Sequence, residues 1–200
     1  VASNTMTKVS NDAGGNLAAP EEILNKTAVF VNKFNAESTS AAPEAYKRYT
    51  NHGGEGTALK SDMFTFKVES KTPGAPLPEG ADPDGNGVFL VKNQGEEIPL
   101  AQATFGAEHV GHTYVYDISE VRPDEATAKN SFTVNGMTYD PTVYRAKFQV
   151  TSDGAGDQSR VKVVISYYKM DGDNEVPLDE GQTPEFSNSY DLAVVTLPSD

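Results

Sequence analysis

The segment Tyr114–Glu120, YVYDISE, alternates without a break. Tyr114, Tyr116, Ile118 and Glu120 fall on one face of an extended strand, and Val115, Asp117 and Ser119 fall on the other. The aromatic face is expected to point inward, which carries the carboxyl of Glu120 toward a core. A strand of this kind implies a sheet with one buried face.

The flanking sequence supplies the rest of such a sheet. Upstream, MFTFKVES (63–70) alternates in the same way, with Phe64, Phe66 and Val68 on one side and Thr65 and Lys67 on the other. KTPGAPLPEGADPDGNG (71–87) is turn chemistry, and short strands follow at VFLVKN and ATFG. Downstream, SFTVNGMTYD reads as a hairpin through Asn135-Gly136. TVYRAKFQVTSDGAGDQSRVKVVISYYKM reads as a second hairpin, turning at SDGAGD, and PEFSNSYDLAVVTL as a last strand. A first strand is expected at Thr27–Phe34. The connection at 35–61 is long and polar, with room for one short helix in SAAPEAYKRYTNHGG, capped by Ser40 and stopped by Gly53. Residues 1–25 have no period and read as a flexible leader, and the ends of the chain read as those of a processed product. The expectation is one all-β domain over 26–197, an immunoglobulin-like antiparallel β-sandwich with an inserted loop at 35–61.

Composition agrees and narrows the function. The chain has 200 residues, 17 Gly, 12 Pro, 9 Tyr and 9 Phe, and little leucine, which favours strands and turns over helices. Against 16 basic residues stand 29 acidic ones, a formal charge of −13 that repels nucleic acid and anionic lipid. Cysteine is absent, so thiol nucleophiles, disulfides and zinc ribbons drop out. No apolar run reaches the length of about 18 residues needed to span a bilayer. No cofactor motif is present.

Three polar residues sit on apolar faces. Glu120 ends its aromatic face, Asn188 lies between Phe186 and Tyr190, and Lys33 in AVFVNKFN (28–35) shares a face with Val29 and Val31. Each alone is ordinary: strand-end glutamates are solvated, asparagines bond loops, and lysines extend their heads to water. Together they match one chemistry. A buried lysine loses its proton and a buried glutamate keeps one. The amine can then attack an asparagine carbonyl, which a protonated carboxyl polarises before passing a proton to departing ammonia. The product is a Lys–Asn isopeptide bond made once by the protein on itself, not a turnover reaction.

Five stretches in order resemble the FctA-type pilin domain of Gram-positive sortase-assembled pili: VFVNKF, FTFKV, YVYDISE, GMTYDPTVY and FSNSY, covering about residues 27–190. The resemblance implies an immunoglobulin-like domain in an extracellular, cell-wall-attached pilus, with Lys33 and Asn188 joined and Glu120 as the catalytic acid. It also implies other pilin subunits as partners through a sortase, with Lys169 in SYYKMDG as the candidate linkage lysine. Two departures stand out: the 35–61 connection is longer than the family's, and LPSD at the end carries no full sorting signal.

Other readings rest on other residues. Asp82, Asp84 and Asn86, with Gly87, have the spacing that opens a calcium loop, although Asn93 stands where a bidentate glutamate belongs. Asp171, Asp173 and Glu175 form a second acidic turn. His109 and His112 lie three apart without any catalytic motif around them. A host- or glycan-binding module would use the 35–61 segment, with Tyr46 and Tyr49, and need no crosslink.

Overall fold

The computed structural model describes residues 36–53, 58–81, 85–154 and 159–191. The chain divides into Val1–Lys33, which lies outside the described residues, and Phe34–Asp200, to which everything below refers. The strand expected at 27–34 therefore lies outside the description, and so does Lys33.

Twelve strands are described, in two main sheets. The larger has six strands: β3 (Thr65–Ser70), β4 (Val88–Lys92), β6 (Thr113–Glu120), β9 (Val143–Asp153), β10 (Arg160–Asp171) and β11 (Asn174–Pro177). Their order is β11-β10-β9-β6-β3-β4, and every pairing is antiparallel. The smaller contains β2 (Tyr46–Asn51), β7 (Thr133–Val134), β8 (Met137–Thr138) and β12 (Glu185–Tyr190), in the order β2-β12-β8-β7. A short pair, β1 (Thr39–Ala41) with β5 (Ala103–Phe105), accompanies them.

The alternation seen in the sequence is the burial pattern of the strands. Phe66 and Val68 on β3, Tyr114, Tyr116 and Ile118 on β6, and Tyr144, Ala146, Phe148 and Val150 on β9 are all buried. Phe186 of β12 crosses from the other sheet into this layer. Its ring lies 5.1 Å from that of Phe66 and 5.1 Å, edge on, from that of Tyr144. Such tilted and edge-to-face contacts suit the ring quadrupoles and fix how the two sheets sit on each other.

Two expectations change. Tyr46–Asn51 is a strand, not part of a helix. Its ladder to β12 supplies the backbone partners that a helix would otherwise provide, and a weak helix propensity yields to that pairing. The 35–61 segment is thus not a mere loop, because it contributes β1 and β2. The sandwich is also not wholly antiparallel: β2 and β12 run parallel, with Lys47 opposite Phe186 and Tyr49 opposite Asn188. No hairpin joins these two strands, so no turn forces them to reverse direction.

The Asn135-Gly136 hairpin forms as the sequence indicates. Both residues have positive φ, 50° and 82°, as a type I′ turn requires. Its tip packs on the end of β12, where the Gly136 carbonyl accepts a hydrogen bond from the Asp191 N–H at 2.9 Å. A side chain at Gly136 would meet the Asp191 carbonyl oxygen at 2.4 Å.

Candidate functional site

β6 ends at the core with its last inward residue, Glu120, 5% exposed. The next sheet over brings two residues to it. Asn188 is the second inward position of β12 and 3% exposed, and Lys47 is the first inward position of β2 and 0% exposed. Lys47 Nζ donates to Glu120 Oε2 at 2.7 Å, and Asn188 Nδ2 donates to Glu120 Oε1 at 2.6 Å. One carboxyl group therefore holds an amine on one oxygen and a carboxamide on the other. The amine and the amide come from adjacent strands of one sheet, and the acid comes from the facing sheet.

The walls are aromatic. Lys47 Nζ lies 4.4 Å from the centre of the Phe64 ring and 5.9 Å from that of Phe66. Phe66 is also the residue paired with Glu120 across β3 and β6. In these surroundings burial drives Lys47 below the ordinary lysine value, against the opposing pull of Glu120. Burial likewise raises Glu120 above the ordinary carboxyl value, against the opposing effects of Lys47 and Asn188. Both shifts favour the uncharged pair, a free amine beside a carboxylic acid.

The amide carbonyl has its own partner. Asn188 Oδ1 accepts from the backbone N–H of Asp140 at 2.9 Å. The acid thus faces the nitrogen of the carboxamide, and the oxygen is held by a peptide group. This differs from the expectation that Glu120 would bond the carbonyl oxygen.

Glu120 and Asn188 are brought together, and the lysine beside them is Lys47. The sequence reading missed it. The signal was present, since Ala45, Lys47 and Tyr49 share one face by strand alternation. It was weak because YKRYTN is polar overall, whereas AVFVNKFN offers a far more apolar setting for Lys33. Lys169 lies on β10 with an exposed side chain, away from this site.

The other candidates have local roles. Asp82 and Asp84 lie outside the described residues, and Asn86 Oδ1 accepts the N–H of Val88. Asn93 is fully buried and clamps a loop: its Oδ1 accepts the N–H of Phe64, and its Nδ2 donates to the carbonyls of Lys60 and Gly95. Glu175 is paired with Arg145 and Lys147. His109 Nδ1 accepts the N–H of Gly106. Among the described residues no group of His, Asp or Glu is arranged to hold a metal ion.

The fold is thus a β-sandwich in which one buried acid holds a buried lysine on one oxygen and a buried asparagine on the other. The family model FctA, the Spy0128-like isopeptide containing domain, matches residues 43–191, and the chain belongs to that family. The matched span includes Lys47, Glu120 and Asn188 and begins after Lys33. Among solved structures, the major pilin from Streptococcus pyogenes is similar at 18% identity and a TM-score of 0.35, over 79% of this chain and 52% of that one. A point variant of that pilin gives 20% and 0.36 over 78% and 51%, and the T-13 major pilin from the same organism gives 17% and 0.33 over 78% and 54%. The chain spans about half the length of the solved pilins it matches. A comparison with curated protein sequences finds no match.

Proposed function

We propose that this chain is a structural domain of a Gram-positive surface pilus, locked by a Lys47–Asn188 isopeptide bond that forms with Glu120 as the catalytic acid. The observation that carries the reading is the single carboxyl group shared by a fully buried amine and a buried carboxamide.

The reaction follows from the contacts. The Lys47 ammonium passes a proton to Glu120 across their 2.7 Å hydrogen bond, giving amine and acid. The free Nζ adds to Cγ of Asn188, and negative charge builds on Oδ1. Glu120 delivers its proton to Nδ2, which lies 2.6 Å from Oε1, and takes a proton back from Nζ. The Nζ–Cγ bond forms, the Cγ–Nδ2 bond breaks, and ammonia leaves. Glu120 ends protonated beside the new amide.

The pilus assignment draws on family membership and on the names of the solved relatives. It places the domain outside the cell, on the wall, with neighbouring pilin subunits as partners. Exposed Lys169 on β10 is the candidate lysine for sortase linkage, and an adhesive role belongs to the assembled appendage.

Intact mass decides the central point. Wild-type chain is expected to weigh one ammonia less than its sequence, about 17 Da, and Glu120→Ala and Lys47→Met are expected at full mass. Lys33→Met is expected to retain the deficit. Full mass in the wild type would end the crosslink reading, and a deficit lost in Lys33→Met but kept in Lys47→Met would transfer it to the other lysine.

A further inference from the structure

The motif GMTYDPTVY contains an aspartate that the crosslinking reaction as derived above does not use. Asp140 is joined to the site through its backbone, whose N–H donates to Asn188 Oδ1 at 2.9 Å. Its carboxylate is fully engaged elsewhere. Oδ1 accepts the N–H of Thr142 at 2.8 Å, and Oδ2 accepts the N–H of Ser187 at 2.7 Å. Ser187 immediately precedes Asn188. The side chain therefore ties the 140–142 turn to the strand carrying the amide, and the main chain of the same residue touches the amide oxygen.

We propose that Asp140 is a positioning residue for crosslinking: its carboxylate, anchored on Ser187 and Thr142, holds its own peptide N–H against the Asn188 carbonyl oxygen, where charge develops as Lys47 Nζ adds. The inference rests on the Lys47–Asn188 reading and deepens it. The N–H is a fixed donor aimed at the atom that becomes negative, in a site whose lysine, acid and amide are all buried. Such donors stabilise the transition state more than the ground state. The carboxylate carbon is three bonds from the peptide nitrogen that donates to the amide oxygen, and it acts through this geometry. Nothing is consumed or released beyond the ammonia already counted.

The two claims fail differently. The wild-type chain, Asp140→Ala and Asp140→Asn are purified and followed by intact mass from the first hours after expression. The expected result is a wild type already short by one ammonia and an Asp140→Ala protein that folds but is largely at full mass. That variant then converts at least about tenfold more slowly, removal of a single such donor costing on the order of a hundredfold. Asp140→Asn keeps one acceptor for Thr142 and is expected to fall between them. A second readout separates positioning from support of the fold. In the uncrosslinked Lys47→Met background, the infrared stretch of a 13C-labelled Asn188 side-chain carbonyl is expected to rise when Asp140 becomes alanine, because the oxygen loses its donor. Full mass in the wild type would overturn the crosslink itself. A wild type short by ammonia with Asp140→Ala crosslinking equally fast would overturn the role of Asp140 alone. Slower crosslinking with an unmoved carbonyl stretch would also overturn it, by showing support of the fold only. Should Asp140→Ala fail to fold, the same comparisons are made with Asp140→Asn.

Discussion

Lys47 is the side chain on which the proposed chemistry turns, and its burial has consequences that can be measured without the crosslink. In Glu120→Gln the amine remains in its aromatic setting and the acid is gone. Burial holds the lysine below its ordinary value of 10.5, so between the two values the unfolded chain carries a proton that the folded one lacks. Stability of this variant is expected to rise with pH through that window, by up to about 1.4 kcal/mol per pH unit, and to level off above 10.5. It falls again as pH drops, until the folded form also takes up the proton. The wild type, in which the proposed crosslink turns this lysine into an amide, should show no such slope, and urea titrations across the alkaline range compare the two. Glu120 and Asn188 were legible in the sequence because each ends or interrupts an apolar alternation. Lys47 was not, because its neighbours on β2 are Tyr46, Arg48 and Tyr49, and the partners that bury it come from distant strands.

Strands were legible where one face is apolar over several residues, as in β3, β6, β9 and β12. β1, β2 and β11 were hidden for the opposite reason. β11 is exposed along its whole length, and β2 is anchored at its outer side by Arg48, which pairs with Glu96 and Glu185. Pairing with a neighbour, not an inherent pattern, makes these segments extended. The β7–β8 hairpin shows the reverse, since Asn-Gly alone specified the turn. It also offers a test of how β12 is held. Gly136→Ala places a methyl against the Asp191 carbonyl in a left-handed backbone and is expected to cost roughly 1–3 kcal/mol. Because the same hairpin leads into Asp140, the variant is also expected to crosslink more slowly by intact mass. Phe186→Ala, which removes the ring between Phe66 and Tyr144, is expected to destabilise the uncrosslinked form by about 3–5 kcal/mol in chemical unfolding.

Across the whole domain, β2 and β12 are neighbours although Lys47 and Asn188 are about 140 residues apart. Closing a loop of that length is expected to stabilise the fold by about 5 kcal/mol on the chain-entropy account. Glu120→Ala should therefore melt at least about 10–20 °C below the wild type. A mechanical test is sharper. Pulled from its two ends, the Glu120→Ala chain should release roughly 480 Å between residues 47 and 188 when the sandwich gives way. The wild type should release none of it, because the load runs from β2 to β12 through the amide. A wild-type trace containing that extension would exclude the bond.

The adjacency of β2 and β12 also changes what a protease can do. With Lys47 joined to Asn188, the chain becomes a closed ring bearing two tails, and nearly all of the sandwich lies within the ring. A single cut in the connection between β9 and β10 opens the ring and yields no free fragment, since both pieces remain attached at the crosslink. Two cuts within the ring are needed before any part of it can be lost. A surface protein exposed to hydrolytic enzymes would then survive its first injury in one piece.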